Sequence, residues 1–400
     1  MRHVVIVGQG PSGLLAADWL SALGAAVTIV AASEGSLALW SGSFDFRNYD
    51  QDGSMVTDPW QWWAEPSHRT FAQAWELSDW KRWWTALLRS FQDIGLIVDL
   101  TLPRKNRWIV APTGRLRPTF WCPPWQWTLS SSDPNEPVTL VDVGSLLDTP
   151  INWLKARTRD DSAWLTEAVA LRRPDAWRQH WSGLAWAAFL DQPTGADWVI
   201  TESIRAREHM RLPGALVFPQ VLGVATTERL MQRIADAVDR PVFEYALMPP
   251  AVGGIRIRER WHKSLKSRGV LFRHGHVVEV TDSGVRLGES AGRIAADEVV
   301  IATGGIVGGG LALNPEGILT NTATGERDFF SGELNALTSV GVGNRLSHGY
   351  VVGRMVGGSD PDRHGDGGAM NVWSVATAVQ AIMGERAVNS WLSTREEGPG

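Results

Sequence analysis

The stretch that decides the fold of this chain is His3-Val4-Val5-Ile6-Val7-Gly8-Gln9-Gly10-Pro11-Ser12-Gly13, almost at its start. Its first five residues are mostly apolar and predict a short buried strand, and the residues from Pro11 to about Leu23 predict a helix. Ala26 to Val30 predicts a second strand, so the chain opens in the order of a β–α–β unit. The glycines at the first turn of that unit fit the spacing GxGxxG, which is typical of folds that bind dinucleotides or flavins.

Each glycine of this turn has its own expected role. Gly8 permits the tight turn, Gly10 lets the backbone approach a pyrophosphate, and Gly13 lets the helix pack closely on the strand. The unpaired N–H groups at the start of the helix, where Ser12 lies, are expected to face the phosphates. We therefore predict Gly8, Gly10, Ser12 and Gly13 as cofactor-binding residues, and the alternative is a turn of the same shape without a ligand.

One part of the usual dinucleotide fingerprint is missing. An acidic residue about 20 residues further on normally ends the second strand and binds the ribose of an adenosine, but Ala31 stands at that place. Glu34 follows in the loop and reaches a ribose only if that loop curls back. Either backbone groups or Ser33 replace the acid, or the ligand lacks an adenosine, as FMN does. The motif alone slightly favours FAD, with FMN as the alternative.

Composition and charge limit the classes of function. The chain has 400 residues, enough for one large two-lobed unit or two to three domains. The formal net charge is −5 and no block of basic residues occurs, so no nucleic-acid partner is expected. No apolar run reaches the ~18 residues that span a bilayer, which predicts a chain without a transmembrane segment.

Cysteine usage restricts the redox chemistry. Cys122 is the only cysteine, so the chain forms no internal disulfide and cannot hold an iron–sulfur cluster, which needs about four cysteine ligands. A reducing cytoplasm is the expected location. Electrons that enter this chain must therefore leave through another molecule.

Tryptophan is unusually common, with 22 residues against three tyrosines. Half of these tryptophans lie between Trp60 and Trp127, including the pair Trp62-Trp63. The first interpretation is that tryptophan fills core positions where other chains use Leu, Phe or Tyr. The alternatives are a surface for a partner or a membrane interface, and the wall of a ligand pocket.

Glycine-rich segments further along the chain supply more candidate cofactor contacts. Ser41-Gly42-Ser43 is small and polar, as a backbone close to a cofactor requires. A strand predicted from Glu298 runs into Ala302-Thr303-Gly304-Gly305, and a glycine-rich stretch from Gly353 to Ala369 precedes a helix with unpaired N–H groups. The predicted cofactor-binding residues of these segments are Ser41, Gly42, Ser43, Thr303, Gly304, Gly305, Gly357, Gly358, Asp360, Gly367 and Gly368.

Hydrophobic periodicity predicts helices over Trp75–Phe91 and Ile255–Arg268. The last helix is predicted at about Asn371–Met383, and the residues after Thr394 are predicted to form a frayed tail.

Several blocks of sequence occur in an order that is typical of one family. They are Ser41-Gly42-Ser43-Phe44-Asp45, residues 114–120, Met248-Pro249-Pro250-Ala251-Val252-Gly253-Gly254-Ile255-Arg256, Gly308-Gly309-Gly310-Leu311 and residues 357–368. Together they resemble the B-type subunit of the anaerobic glycerol-3-phosphate dehydrogenase, a family of flavoprotein subunits. The resemblance runs from Val4 to about Met383 and is most specific at residues 249–256 and 357–361, whereas the tryptophan-rich region matches poorly.

The resemblance implies a flavoprotein, in a family associated with FMN. It implies work beside a larger FAD-containing subunit and an iron–sulfur subunit, with electrons passing toward quinone. Association with a membrane would then run through these partners. Ala31 in place of an acid agrees with FMN, and the intact GxGxxG agrees equally with FAD.

Oxidation of an alcohol needs a base near the substrate hydroxyl, and a phosphate-bearing substrate needs cations. Arg256 is predicted to open a helix after two glycines and is the first candidate for an anion clamp. Its alternative is a buried ion pair between two lobes. Arg117 is a second candidate for the anion clamp.

His348 and His364 flank the C-terminal glycines as candidate bases, with solvated loop histidines as the alternative. No His, Cys, Asp and Glu cluster has metal-ligand spacing, so no metal is expected.

These observations predict an α/β protein with a Rossmann-like flavin-binding lobe and an inserted cap or substrate lobe. The flavin-binding lobe is predicted over residues 1–50 and 290–394, and the cap over residues 51–289. The predicted function is a flavin-dependent oxidoreductase subunit that oxidises glycerol 3-phosphate or a related hydroxy substrate within a complex. The alternatives are a stand-alone flavin oxidase or dehydrogenase for another small substrate, and a flavin-bearing electron-relay or scaffold subunit.

Overall fold

A computed structural model describes most of the chain, namely residues 1–68, 71–72, 74–96, 99–129, 137–144, 146–147, 166–173, 180–288, 292–306, 308–315, 319–323, 345–346, 348–357 and 359–397. Contacts between residues divide the chain into two compact units. The first unit contains residues 1–36, 44–106 and 259–400, and the second contains residues 37–43 and 107–258. The functional lobes, with boundaries after residues 50 and 289, stay a prediction.

The helices in the described ranges are α1 (Pro11–Ala22), α2 (Pro59–Ala64), α3 (Leu77–Asp93), α4 (Gly183–Leu190), α5 (Pro193–Arg207), α6 (Thr227–Val238), α7 (Val252–Ser267), α8 (Pro361–His364), α9 (Gly367–Met383) and α10 (Glu385–Glu397). The strands there are β1 (His3–Val7), β2 (Ala26–Ala31), β3 (Arg107–Val110), β4 (Leu116–Thr119), β5 (Val138–Asp142), β6 (Thr166–Ala170), β7 (Ala215–Pro219), β8 (Val242–Tyr245), β9 (Leu271–His274), β10 (Val277–Thr281), β11 (Gly284–Leu287), β12 (Arg293–Ala295), β13 (Glu298–Ile301), β14 (Leu311–Leu313), β15 (Leu319–Asn321), β16 (Arg345–Leu346) and β17 (Gly349–Val351).

The first unit is organised around a mostly parallel sheet, whose strand order over the described residues is β16-β17-β13-β1-β2-β9. β1 pairs in parallel with β2 and with β13, so that Val5 lies opposite Thr28 on one side and Val299 on the other. β1 is buried from Val4 to Val7, as expected for a central strand that is covered on both faces. Because parallel strands end at the same edge of a sheet, this order brings the ends of β1, β2 and β13 together.

Two helices cover the strands at this edge. α1 contacts β1, β2 and β13, and α9 contacts both α1 and β17. The predicted α/β class with a Rossmann-like first unit is therefore confirmed. The first unit also contains the antiparallel sheet β10-β11-β12 and the pair β14-β15. None of the helices in the described ranges combines the length and the apolar character that crossing a membrane requires.

The second unit has a parallel sheet of its own. Its strand order in the described ranges is β6-β5-β7-β8, and α4 and α5 lie between β6 and β7 in the chain. β7 is buried along its whole length, as its continuous apolar run requires in a parallel sheet. β3 and β4 form an antiparallel pair in the same unit.

The tryptophan-rich segment supplies core side chains to the first unit. Trp63, Trp80 and Trp84 are fully buried, and their rings lie 5.9, 5.0 and 5.3 Å from the Phe46 ring. The exposed fractions of Trp62 and Trp63 are 6% and 0%, so these side chains do not form a surface for a partner. The interpretation of these residues as core is therefore confirmed.

Two predictions near helix ends are wrong. α7 begins at Val252, so Arg256 lies in its second turn and does not open the helix. Two positions before it require glycine, because a Cβ at Gly253 or Gly254 would overlap backbone carbonyls of the segment at residues 37–41.

The chain also continues past the predicted last helix. Gly384 ends α9 with a φ of +86°, and α10 then runs to Glu397, so its last three residues are helical where the sequence predicts a frayed tail. α10 is stabilised because Val388 and Leu392 are buried and because the helix contacts α3 and α9.

Candidate functional site

The turn between β1 and α1 contains two glycines that the fold itself requires. Gly8 has a φ of +111°, and its N–H donates to the Val30 carbonyl over 2.8 Å, which ties the turn to β2. A Cβ at Gly8 would overlap the Ala302 carbonyl, and a Cβ at Gly13 would overlap the Gly8 carbonyl. Strand, turn and helix therefore approach each other more closely than any side chain at these two positions allows.

Gly10 differs, because no described residue explains its lack of a side chain. Its φ is −72°, and a Cβ there would meet only the Ser36 Oγ, at 3.6 Å. Gly10 precedes α1, whose first residue is Pro11 and whose N-terminus has no side-chain cap. An uncapped helix N-terminus attracts phosphate groups through its unpaired N–H groups. The turn therefore has both the space and the partial charge that a pyrophosphate needs.

The loop after β2 curls back onto this turn. β2 ends at Ala31, and the Gln9 Nε2 then donates to the Ser33 carbonyl over 2.6 Å. Gly35 has a φ of +68°, and a Cβ on it would come within 3.1 Å of the Gly10 nitrogen. The loop that carries Ser33 and Glu34 is thus held against the glycine turn. It curls back, as it must if Glu34 is to reach a ribose.

The end of β13 brings a second set of predicted residues to the same turn. The Ala302 carbonyl and the Thr303 nitrogen both lie next to the position that a Cβ of Gly8 would take. Gly304 has a φ of +74°, and no described atom lies within 4 Å of its Cβ position. A Cβ at Gly305, which follows, would lie 3.1 Å from the Arg354 Cδ. The structure therefore places Thr303, Gly304 and Gly8 at one edge of the sheet, with open space above Gly304.

Hydrogen bonds fix α9 beside α1. The Ser12 Oγ donates to the Asn371 Oδ1 over 2.7 Å, and the Gly353 N–H donates to the Ser374 Oγ over 2.8 Å. Gly353 has a φ of +72°, and a Cβ there would overlap the Ser12 hydroxyl. The hydroxyl of Ser12 therefore joins two helices, while its backbone N–H stays at the open N-terminus of α1.

The other C-terminal residues predicted for the cofactor lie at turns and helix ends. Gly357 ends a 3-10 turn with a φ of +75°. Asp360 caps α8, because its carboxylate accepts backbone N–H groups of that helix. Gly367 and Gly368 open α9. Gly358 lies outside the described residues.

Ser41, Gly42 and Ser43 belong to the second unit. Gly42 has a φ of +98°, and a Cβ there would lie 2.9 Å from the Pro123 Cγ and 3.1 Å from the Ile257 Cδ1. The Ser41 Oγ donates to the Ser43 Oγ over 3.3 Å. The packing inside the second unit thus explains the glycine, and a cofactor contact of this segment stays a prediction.

The guanidinium of Arg256 makes three hydrogen bonds to protein groups. It donates to both carboxylate oxygens of Glu244 and, over 2.7 Å, to the Gly223 carbonyl. Both side chains are fully buried, and Trp125 lies 5.3 Å from the guanidinium carbon. This geometry favours the buried ion pair over the anion clamp, although both partners lie within the second unit.

Arg117 and His348 are two further residues that the sequence predicts for the site. Arg117 lies in β4, opposite Ile109. The His348 Nδ1 lies 2.6 Å from an Asp282 carboxylate oxygen, and both side chains are exposed, at 48% and 81%. Such a pair in solvent contributes little free energy, so its geometry does not distinguish His348 as a base.

A buried cluster surrounds the start of α9. The Arg47 Nη1 lies 2.9 Å from the Asp366 Oδ2, and both side chains are buried. The Ser359 Oγ donates to the same Asp366 oxygen over 2.5 Å, and it also lies 3.2 Å from the His364 Nδ1. The Trp62 ring lies 4.0 Å from the Arg47 guanidinium carbon. The structure thus connects His364 to a buried carboxylate and a buried cation.

Burial and charge shift the acidity of this cluster. Burial raises the pKa of the Asp366 carboxyl, and Arg47 opposes that rise. Burial lowers the pKa of His364, and the charge of Arg47 lowers it further, while Asp366 acts in the opposite direction. The arrangement therefore favours a neutral imidazole, the form that accepts a proton.

The sequence predicted no role for Arg47, Ser359 or Asp366. Asp366 stands directly before Gly367-Gly368, so an ionisable residue at the start of a glycine-opened helix was the available signal. Nothing local indicates Arg47, because its partner lies more than 300 residues away in the chain. No group of three or more His, Cys, Asp or Glu side chains among the described residues is arranged to hold a metal ion.

The glycine turn, the open helix N-terminus and the curled loop fit the pyrophosphate and ribose of a dinucleotide, which defines a protein of the dinucleotide-binding class. The model of the FAD binding domain family matches residues 3–329, and the chain belongs to that family. It is therefore an FAD-dependent oxidoreductase. FAD is its cofactor.

Curated relatives are similar over most of the chain. The B-type subunit of the anaerobic glycerol-3-phosphate dehydrogenase of Vibrio cholerae is 23% identical, with 99% of each chain covered. The protein of the same name from Pectobacterium atrosepticum is 26% identical over 78% of this chain and 77% of its own. Among solved structures, an iminodiacetate oxidase from a Chelativorans species is 15% identical over 77% of this chain and 58% of its own, with a TM-score of 0.26.

Proposed function

We propose that the chain is the B-type flavoprotein component of an anaerobic glycerol-3-phosphate dehydrogenase. In this proposal it oxidises glycerol 3-phosphate, or a related hydroxy substrate, as part of a complex. The observation that carries the proposal is the end-to-end match to the Vibrio cholerae protein, which covers 99% of both chains. This match also extends past residue 329, where the match to the FAD binding domain family ends.

The site residues follow from the geometry of the first unit. Pyrophosphate binds at Gly10 and at the N-terminus of α1, because that space is open and lined by unpaired N–H groups. Glu34 or Ser33 binds the ribose, because their loop is held against the turn. We assign the N-terminus of α9, at Gly367 and Gly368, to the flavin end, because no side chain caps that helix. FAD, when bound, supplies the acceptor for two electrons.

The functional lobes of this proposal are those of the sequence, with the flavin-binding lobe at residues 1–50 and 290–394 and the cap at residues 51–289. His364 is the base of the proposal, because the buried cluster favours its neutral form. Arg256 stabilises the second unit through Glu244 and does not bind the substrate.

Partner subunits complete the proposal. Cys122 is the only cysteine, so electrons leave through another molecule instead of a cluster in this chain. We assign that task to a second FAD-containing subunit and an iron–sulfur subunit. A chain with one cysteine is suited to a reducing cytoplasm, where we place the complex.

Anaerobic mixing of the purified, FAD-loaded chain with glycerol 3-phosphate tests the substrate. We expect loss of the flavin absorbance, and we expect glycerol, which lacks the phosphate, to react far more slowly. Reduction by another hydroxy substrate alone would support the stand-alone enzyme. If no substrate reduces the flavin in the isolated chain but the native complex oxidises glycerol 3-phosphate, the chain is the electron relay.

Native purification under mild conditions tests the complex. We expect an FAD-containing subunit and a cysteine-rich subunit to co-purify with this chain. A chain that is isolated alone and that turns over with oxygen or quinone directly contradicts the proposed complex.

A further inference from the structure

The segment from Ser359 to Asp366 holds the His364 side chain in one orientation. Asp360 caps α8, and the His364 N–H donates to the Asp360 carbonyl over 2.9 Å. The His364 carbonyl in turn accepts the N–H groups of Asn48 and Tyr49, over 3.0 and 2.9 Å. The backbone of His364 is therefore fixed by hydrogen bonds of both its N–H and its carbonyl, independently of the contacts of its ring.

The hydrogen bonds of Ser359 determine which nitrogen of His364 carries the proton. A serine hydroxyl has a single proton, and Ser359 donates it to the Asp366 Oδ2 over 2.5 Å. Toward the His364 Nδ1, which lies 3.2 Å away, the Ser359 oxygen can therefore only accept. The Nδ1 of the neutral ring must then carry the hydrogen, and the lone pair lies on Nε2.

Arg47 opposes the rise that burial causes in the pKa of Asp366, and so favours the carboxylate that accepts the Ser359 hydrogen bond. The Arg47 Nη1 and the Ser359 hydroxyl share one carboxylate oxygen, Asp366 Oδ2. The His364 ring is half-buried, and none of the described residues forms a hydrogen bond with its Nε2. The hydrogen-bonded chain thus begins at the buried Arg47–Asp366 ion pair, passes through Ser359 and ends at the Nε2 lone pair of His364.

We propose that Ser359 and Asp366 are positioning residues that hold His364 with its proton on Nδ1 and its Nε2 open to accept the proton of the substrate hydroxyl. This inference rests on the proposed function. In the oxidation, Nε2 would accept the hydroxyl proton while the C–O bond becomes a carbonyl. The hydride on the carbon that bears the hydroxyl would need bound FAD as its two-electron acceptor.

Charged groups around the ring agree with this role. Arg47 and Arg363 oppose protonation of His364, while Asp366 and Asp360 favour it, and burial has the largest effect and lowers the pKa. The Arg363 guanidinium is itself turned to the Gln51 carbonyl, over 2.9 Å. The neutral ring is therefore available as a base at neutral pH.

Nuclear magnetic resonance of the full chain with ¹⁵N-labelled histidine reads the tautomer directly. His364 is one of nine histidines, and the signals that vanish in His364→Gln assign it. We expect a protonated Nδ1 and an unprotonated Nε2 above the pKa of the ring. The opposite tautomer overturns the proposal, whatever the substrate of the enzyme is.

Variants of Ser359 test the connection. Ser359→Ala leaves the Arg47–Asp366 ion pair in place, and we expect a mixture of both tautomers. Ser359→Thr keeps the hydroxyl and is expected to retain the Nδ1-protonated form. Ser267→Ala is the matched control, because its hydroxyl bonds a carbonyl in its own exposed helix turn and the His364 signals should not change. If Ser359→Ala retains a single tautomer, Ser359 does not position the ring.

Kinetics separate a positioning role from a purely structural one. We expect His364→Gln to lower kcat/KM for flavin reduction by about 10²–10⁴-fold. Ser359→Ala should lower kcat and leave KM little changed, and Ser359→Thr should restore kcat. If the wild type has the predicted tautomer but Ser359→Ala leaves both the pH profile and kcat unchanged, the cluster stabilises the fold and has no positioning role in the reaction. Absence of turnover with glycerol 3-phosphate affects the proposed function but leaves the tautomer result intact.

Discussion

The Arg47 guanidinium and the Asp366 carboxylate form a buried ion pair, with 2.9 Å between Nη1 and Oδ2. The pair joins a segment near the start of the chain to the residue that precedes α9. Arg47 also lies over the Trp62 ring, at 4.0 Å, so the cation is held by a carboxylate and an aromatic face together. The N-terminus of α9 is therefore fixed by residues that are far apart in the sequence.

Removal of either partner of this pair should destabilise the protein. Arg47→Met and Asp366→Asn each leave a buried charge without its partner, which costs about 3–5 kcal/mol. The double variant removes both charges, so it should be more stable than the sum of the two single effects predicts. Denaturant unfolding followed by circular dichroism measures these changes. Arg286→Ala breaks an exposed pair with Glu279 and should leave the transition unchanged, and additive single effects would show that Arg47 and Asp366 are not coupled.

Trp63 should behave as a core residue. It is fully buried against Phe46 and Trp80, with ring distances of 5.9 and 4.8 Å. Trp63→Ala leaves a large cavity, which costs about 3–5 kcal/mol. Leu271→Thr, at a position that is 57% exposed, is the control and should change stability by less than about 0.5 kcal/mol. A Trp63 variant with wild-type stability but a lost partner subunit would instead support an interface.

The local parts of the fold were predictable because each depends on neighbouring residues alone. The strand before Gly8, the glycine turn and α1 follow from an apolar run, the GxGxxG spacing and helical periodicity. α3 follows from its apolar face, which begins at a capping box of Glu76 and Asp79. The sequence also indicated that Glu34 reaches the turn only through a curled loop, which is the conformation that the structure has.

The remaining parts depend on contacts that no local pattern encodes. α4 is apolar around almost its whole circumference, so it lacks the periodicity that reveals a helix. α10 follows a helix-ending glycine, and its buried Val388 and Leu392 need α3 and α9 as partners. Arg256 resembled an anion clamp because its partner, Glu244, is brought to it only by the fold of the second unit and cannot be identified from the sequence.

Arg256 should contribute to stability and not to substrate affinity. Arg256→Lys replaces a planar fork by a single ammonium, which cannot reproduce the three hydrogen bonds to Glu244 and Gly223. We therefore expect a lower Tm by thermal unfolding, with KM for glycerol 3-phosphate close to the wild-type value. A raised KM with an unchanged Tm would identify Arg256 as the anion clamp that the sequence first suggested.

The titration of His364 should make the protein less stable in mild acid. Burial lowers the pKa of His364 below its ordinary value of 6.5 in the folded state. As the pH falls below 6.5, the unfolded chain therefore binds the proton first, and the free energy of unfolding decreases until the folded pKa is reached. The stability difference between the wild type and His364→Gln should be constant above pH 6.5 and decrease below it. The effects of other titrating groups largely cancel in this difference. If the difference instead increases toward acid, the charge of Asp366, and not burial, determines the pKa of His364.

Gly10 and Gly13 should respond differently to the same substitution. The backbone of Gly10, with φ of −72° and ψ of −177°, is open to any residue, and its Cβ position meets only the Ser36 Oγ at 3.6 Å. Gly10→Val should therefore fold normally but lose FAD, because the side chain fills the space that the pyrophosphate needs. Gly13→Val should fail to fold, since even a Cβ would overlap the Gly8 carbonyl. Circular dichroism reports the fold, and the flavin absorbance of the purified protein reports the cofactor. A Gly10→Val protein with a full complement of FAD would place the phosphates elsewhere on the sheet edge.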